Sequence, residues 1–411
     1  MSDLKNTISE LCQKAKEASH ALSLATSETK TLFLGKIAEG LETSKSEIFS
    51  ANRRDLENGR SQGLSQAMLD RLEINETRMA KMIQGVRDVA DLPDPVGQSL
   101  KDWDLYNGIH MQKIRVPIGV IGIIYESRPN VTVDAGVLCL KTGNVPVLRG
   151  GKEAFQSNQA LIAVMQDAAE QVGLPRAVVS FIPTTDREAI PIFCSMDQAI
   201  DLMIPRGGYG LIETVVEHAR MPVIKHFHGV CHVYVHEHAD LAMAESIVLN
   251  AKCQRPGVCN ALETLLVDSR IAKAFVPQIV KALKEKGVEV LGDSRTSEAL
   301  EETLNEPESW YMEYLDRILA IRQVDDIKEA VQHINHYGSR HTDTIVTEDE
   351  SVAEQFFSAV DSASVFWNVS TRFSDGAQFG FGAEIGISTD KIHARGPMGL
   401  EELTSYKYVG R

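Results

Sequence analysis

The chain has 411 residues, 43% of them hydrophobic and 24% charged, enough to bury more than one core, so two or three domains are expected. Lys and Arg number 42 against 57 Asp and Glu, a formal charge of -15, which repels nucleic acid and anionic lipid and removes both from the expected partners. No apolar run approaches the roughly 20 residues of a membrane span; the longest, Val116 to Tyr125, is broken by Pro117, Gly119 and Gly122, so no membrane segment is expected.

The first ninety residues read as helices, with Leu4, Ile8, Leu11 and Ala15, then Leu32, Leu34, Ile37 and Leu41, recurring at steps that put them on one helical face. A Pro-Asp-Pro segment after Leu92 breaks the pattern, and Trp103 to Arg115 alternates as a strand or hairpin. From Val120 the texture changes to buried strand (Val120–Ile124), helix (Val133–Lys141), strand (Val145–Leu148) and a long helix (Lys152–Gln171) stopped by Gly173 and Pro175. Ser180–Ile182 and Leu202–Ile204 continue as strands, each followed by a turn and a helix. This alternation predicts a doubly wound α/β domain with a parallel sheet.

A second α/β unit begins near His226, with a strand to about Val235, a helix over Ala239–Ala251, a loop, and a strand over Leu262–Val267. Helix Ile271–Lys286, strand Val288–Val290 and helices Ile327–Ile334 and Ser351–Ser358 follow. The last forty residues hold a glycine-rich loop, a short helix after Pro397 and a terminal strand, Ser405–Val409.

Cysteines 12, 139, 194, 231, 253 and 259 contain no CxxC pair and read as reduced thiols, which makes the cytoplasm the expected address. The segment Gln254-Arg255-Pro256-Gly257-Val258-Cys259-Asn260 is a polar turn between a helix and an apolar strand, and would present the Cys259 thiol at a domain edge with Arg255 to favour the thiolate. On residue type alone, Cys259 reads more readily as a small buried hydrophobe. Cys253 is the local competitor.

Several ordered blocks carry a resemblance: VPIGVIGIIYESRPNVTVDAGVLCLKTGN from Val116, LRGGKEA from Leu148, IPRGG from Ile204, QRPGVCNALETLLV from Gln254, and the stretch from Ser370 to Gly410. Together they resemble the gamma-glutamyl phosphate reductase branch of the aldehyde dehydrogenase superfamily. The resemblance implies an aldehyde dehydrogenase-like α/β fold: a Rossmann-type cofactor domain over 1–225, with 371–400 packing back on it, a catalytic domain over 226–370, and an oligomerisation segment from 101–116 and 401–411. It implies NADPH-dependent reduction of L-glutamyl 5-phosphate to L-glutamate 5-semialdehyde through a cysteine thioester. Cys259 would be the nucleophile, with Asn130 and the Cys259 backbone N–H as oxyanion donors.

By the same resemblance, Arg149 and Lys152 would favour the 2'-phosphate of NADPH, Arg206, Gly207 and Gly208 would approach the pyrophosphate, and Glu313 would hold the nicotinamide ribose. Ser127, Arg128, Arg372 and Arg395 would bind the substrate's phosphate or α-carboxylate, since arginine's fork suits both. A homo-oligomer is expected, and association with the upstream glutamate 5-kinase is left open. On spacing alone, Asn130 reads equally as a turn residue beside Pro129, and Glu313 as a solvated surface carboxylate.

Hydrolytic relatives carry a Glu-Leu-Gly-Gly-type motif whose glutamate activates water. Here the matching stretch is Val223-Ile224-Lys225-His226-Phe227-His228-Gly229, without a carboxylate, which suits reduction. A CoA-acylating reductase and an oxidising semialdehyde dehydrogenase are the rival readings. The histidines at 226, 228, 232, 236 and 238 fall on even positions, so one continuous strand would align them for zinc. Gly229 interrupts that strand and no carboxylate partner is evident, so no metal is expected.

Overall fold

The computed structural model describes residues 2–411. The chain divides into two units, one of residues 1–225, 380–386 and 398–411, the other of residues 226–379 and 387–397. In chain order the strands are β1 (Ser99–Asp104), β2 (His110–Pro117), β3 (Val120–Tyr125), β4 (Val145–Arg149), β5 (Ser180–Phe181), β6 (Leu202–Arg206), β7 (Cys231–Val235), β8 (Leu262–Asp268), β9 (Glu289–Gly292), β10 (Ile318–Val324), β11 (Thr342–Val346), β12 (Ser364–Trp367), β13 (Gly386–Ser388), β14 (Gly396–Met398) and β15 (Thr404–Gly410).

In the first unit, β5, β4, β3 and β6 form a parallel sheet in that order. Helices cover both faces of such a sheet, so its central strands need apolar residues at every position; β3 and β4 are accordingly buried along their whole lengths. Among the N-terminal helices, Ser27–Thr43, Gln66–Leu72 and Glu76–Asp91 are capped by Thr26, Ser65 and Asn75, whose side chains accept from backbone N–H groups of the first turn. The hairpin expected after Trp103 forms as β1 and β2, and β15 pairs with the other edge of β2, giving a separate antiparallel sheet. β1 is almost wholly exposed, as are Tyr406 and Tyr408 on β15.

The second unit holds a six-stranded parallel sheet in the order β12-β11-β7-β8-β10-β9. Its core packs β7, β8 and β10 against helices Leu241–Cys253 and Ser269–Glu285 through Val233, Leu265, Ile321, Val248, Phe275 and Ile279. Strands β10, β11 and β12 escape the sequence pattern. In β11 the reason is visible: Asp343 is fully buried, yet its Oδ1 accepts from the His232 N–H at 2.9 Å and faces His232 Nδ1 at 2.8 Å, while Ser362 donates to Oδ2. Polar residues satisfied this way occupy a buried strand without an apolar signature.

Strand β7 begins at Cys231, not His226. The Gly229 N–H is given to Glu313 and the Val230 N–H to Ser339 Oγ, so neither enters the ladder. The segment expected to pack on the first unit is divided: 380–386 and 398–400 cluster with it, 371–379 and 387–397 with the second unit. Within the second unit, Arg372 bonds Gln254 and Asn260, and Arg395 bonds Asp361. The helix expected after Pro397 is a single 3-10 turn, Glu401–Leu403. Among the described residues, no helix is long and apolar enough to cross a membrane.

Candidate active site

Because the strands of the second unit run parallel, the loops that enter β7, β8 and β11 meet at one edge of the sheet. Cys259 lies there, half-buried, in the loop between helix Leu241–Cys253 and β8. Gly229 is buried against its backbone: a methyl group on Gly229 would stand 2.5 Å from both the Cα and the carbonyl carbon of Cys259. Cys231 Sγ donates to the Cys259 carbonyl oxygen at 3.2 Å. Burial, then the Asp343 carboxylate, push the Cys231 thiol well above its ordinary range, so it keeps the proton it donates.

The ends of the loop are tied as well. Asn260 Nδ2 donates to the Ser374 carbonyl at 2.9 Å, and its Oδ1 accepts from Arg372, whose Nε donates to Gln254 Oε1 at 3.0 Å. One guanidinium therefore spans the loop from Gln254 to Asn260. Lys252 Nζ bonds Glu263 Oε2 at 2.7 Å with both side chains fully buried, joining the helix end to the start of β8. Burial pushes the Glu263 carboxyl up to about 7 against the pull of Lys252.

Lys252→Met should remove that pull and leave a buried carboxylate uncompensated, destabilising the fold by about 3–5 kcal/mol at neutral pH. A carboxyl whose folded pKa lies above its unfolded value loses stability as pH rises through the folded value. Wild type shares that loss up to about pH 7, so the deficit against it, measured by urea unfolding, should widen as pH rises beyond about 7.

Glu313 reaches this edge from the segment before β10. Its Oε1 accepts the Gly229 N–H at 2.8 Å, its Oε2 lies 3.5 Å from His228 Nδ1, and its side chain is 12% exposed. His226 Nδ1 is 3.0 Å from the Ile387 carbonyl oxygen. The histidines do not form one stripe: of the five, only His232 lies in β7, and its carboxylate partner is Asp343. Among the described residues, no three His, Cys, Asp or Glu side chains converge on a point that could hold a metal.

In the first unit, a cavity of about 340 Å³ is lined by Arg149, Gly151, Lys152, Arg187, Gly210 and Thr214, among others. Arg149 ends β4 and is buried, which lowers its pKa; Lys152 opens the turn into helix Phe155–Gln171. Arg206 ends β6, and Gly207 and Gly208 lead into helix Tyr209–His218. The Glu126 carboxylate already sits at that N-terminus: its Oε2 accepts the Gly208 N–H at 2.9 Å, and a methyl on Gly207 would lie 2.7 Å from it. A helix N-terminus favours such an anion.

Ser127 gives both its N–H, at 3.1 Å, and its hydroxyl to Glu153 Oε1. Asn130 is exposed at the start of helix Asn130–Lys141, and its amide donates to Asp134 Oδ2 at 2.8 Å; burial raises the Asp134 carboxyl to about 6. Arg128 is exposed on the same turn. In the second unit Arg395 bonds Asp361 Oδ1 at 2.8 Å, Lys391 lies 2.6 Å from Oδ2, and these two cations hold Asp361 down at about 2.

The aldehyde dehydrogenase family model matches residues 3–298. A gamma-glutamyl phosphate reductase of Carboxydothermus hydrogenoformans is 54% identical over 400 residues, covering 97% of this chain and 96% of that protein. One from Thermodesulfovibrio yellowstonii is 50% identical, covering 99% and 98%. The crystal structure of a gamma-glutamyl phosphate reductase from Thermotoga maritima superposes with a TM-score of 0.97 at 46% identity, covering 98% of each chain. The chain belongs to the gamma-glutamyl phosphate reductase branch of the aldehyde dehydrogenase family. The α/β fold expected from the sequence is the fold of that family.

Of the residues expected to act in a member of this branch, the structure gathers Cys259, Arg372 and Glu313 around one loop edge, and sets Arg149 and Lys152 in one cavity. Arg395 serves a different carboxylate from the groups Arg372 holds. Sequence reasoning took Gly229 only as an interruption of a strand, and missed Cys231, Glu126 and Arg187. A glycine just before a buried strand is a recognised sign of close backbone approach, so Gly229 was the one with a signal.

Proposed function

We propose that this chain reduces L-glutamyl 5-phosphate to L-glutamate 5-semialdehyde and phosphate with NADPH, the second step of proline biosynthesis from glutamate, through a thioester on Cys259. The observation that carries the reading is the half-buried Cys259 thiol on a loop whose backbone is fixed by Gly229 and Cys231. The chain's membership of an oxidoreductase family whose members use nicotinamide cofactors supports it.

The Cys259 thiolate attacks the acyl carbonyl; a C–S bond forms, the bond from that carbon to the phosphoryl oxygen breaks, and phosphate leaves with the electron pair. When bound, the nicotinamide supplies the hydride equivalent for the thioester carbon. Release of the aldehyde returns the electron pair of the C–S bond to sulfur, and the semialdehyde then cyclises unaided to pyrroline-5-carboxylate.

Negative charge builds on the carbonyl oxygen during attack, where the Cys259 N–H and the Asn130 amide are assigned as donors, one such donor being worth about 3 kcal/mol. Asn130 must turn from Asp134 to serve. The His226–Gly229 turn carries no carboxylate of its own, and the Glu313 oxygen nearest it is occupied by an N–H, which suits a thioester protected from water.

Arg149 and Lys152, joined by Arg187, fit the 2'-phosphate, since three cations line one cavity. Arg206, Gly207 and Gly208 fit the pyrophosphate, for which Glu126 must yield the helix N-terminus. Glu313 is assigned to the nicotinamide ribose. Ser127, Arg128, Arg372 and Arg395 are assigned to the substrate's anionic groups. The exposed β1-β2-β15 sheet is assigned to a homo-oligomer, and the cytoplasm is the proposed address.

Phosphate dependence tests the reading. Oxidation of the semialdehyde with NADP+ should require phosphate or arsenate and stay at background without either. Equal turnover in their absence, or a requirement for CoA, would overturn the acyl phosphate assignment in favour of the rival enzymes.

A further inference from the structure

Glu313 makes contacts that a ribose ligand does not need. Its Oε1 accepts the Gly229 N–H, and Gly229 packs with no room for a side chain on the Cys259 backbone. Two residues further on, Leu315 is held in the left-handed region at φ 53° and gives its N–H to Glu263 Oε1 at 3.2 Å. Glu263 is the buried partner of Lys252, and that pair joins the two elements between which the Cys259 loop is strung. The contacts close a ring: loop to Glu263, Glu263 to Leu315, Leu315 along the chain to Glu313, Glu313 to Gly229, and Gly229 back to Cys259.

We infer that Glu313 is a positioning residue for the Cys259 nucleophile, acting through the Gly229 N–H. This rests on the proposed role of Cys259 and adds a second task for Glu313, one performed whether or not a cofactor is bound. The carboxylate fixes the turn His228–Gly229, the turn fixes the Cys259 backbone, and the backbone aims the thiol. A group that only held the ribose would leave thiol reactivity in cofactor-free protein unchanged.

The test is the rate at which iodoacetamide alkylates Cys259 in the cofactor-free, full-length protein, read by mass spectrometry of the Cys259 peptide so that Cys253 is counted separately. Glu313→Gln keeps an oxygen that can accept the Gly229 N–H and removes a negative charge from the turn that packs on the Cys259 backbone, so its rate should equal or exceed that of wild type. Glu313→Ala removes both charge and acceptor and should fall at least about fivefold below Glu313→Gln, because misplacement of a reacting group costs rate. Glu313→Asp, which keeps the charge but is one methylene shorter, should behave like Glu313→Ala. Rates for all three variants within about twofold of one another would overturn the inference while leaving Cys259 as nucleophile. Failure of wild-type Cys259 to react at all would overturn both readings.

Discussion

Cys259→Ser is expected to lower reductase turnover by at least about a thousandfold, because a serine hydroxyl has no thiolate-like form near neutral pH. The fold should survive the change. Oxygen is smaller than sulfur, and the loop is held through the Cys259 backbone and through Asn260, Arg372 and Cys231. A thermal midpoint within about 1 °C of wild type is therefore expected, equivalent to about 1 kcal/mol or less in a chain of this size. Cys253→Ser is the control. Its thiol sits six residues earlier, at the end of helix Leu241–Cys253, where burial raises its pKa, and turnover should be nearly unchanged. Steady-state turnover of both variants, with labelled acyl donor to trap the adduct, measures this. Retained activity in Cys259→Ser, or an adduct on another residue, would remove the thioester from the mechanism.

The elements with strong local signals were legible. β3 and β4 announce themselves as apolar runs between turn residues, and the amphipathic helices by their spacing. Legibility fails where tertiary contacts decide. β11 carries Thr342, Asp343 and Thr344 into a buried position because His232 and Ser362, distant in sequence, satisfy the carboxylate. Residues 226–230 have an aromatic and apolar content that reads as strand, but the Gly229 and Val230 N–H groups go to Glu313 and Ser339.

At the candidate site the thiol, its loop and the cations after β4 could be named from the sequence, because turn chemistry and family motifs mark them. The supports of that loop could not. Cys231 looks like any small buried residue until its Sγ is seen on the Cys259 carbonyl, and Arg187 follows no motif before it is seen lining the cavity with Arg149 and Lys152. Glu126 lies inside a matched motif, yet only the fold puts its carboxylate on the N–H of Gly208, 82 residues away.

Gly229→Ala is the second change with a large expected effect, and it separates positioning from chemistry because it alters no reacting group. The added methyl would meet backbone atoms of Cys259, which cannot rotate away as a side chain could. Either the His228–Val230 turn or the Cys259 loop must move. Movement of the turn strains the Glu313 and Ser339 hydrogen bonds, and movement of the loop displaces the thiol and loosens the Cys231 contact. Overpacking of this kind costs about 1–3 kcal/mol of stability, and a displacement near 1 Å at a reacting atom can cost about a hundredfold in rate. Urea unfolding and turnover should therefore both fall, turnover by more than the loss of folded protein explains. Gly85→Ala offers the contrast: that glycine lies within helix Glu76–Asp91 with nothing within 4 Å of an added methyl. There the substitution should stabilise the fold by about 0.5–1 kcal/mol through helix propensity and leave turnover unchanged. If Gly229→Ala kept wild-type turnover, the close approach of that turn to Cys259 would have no part in aiming the sulfur.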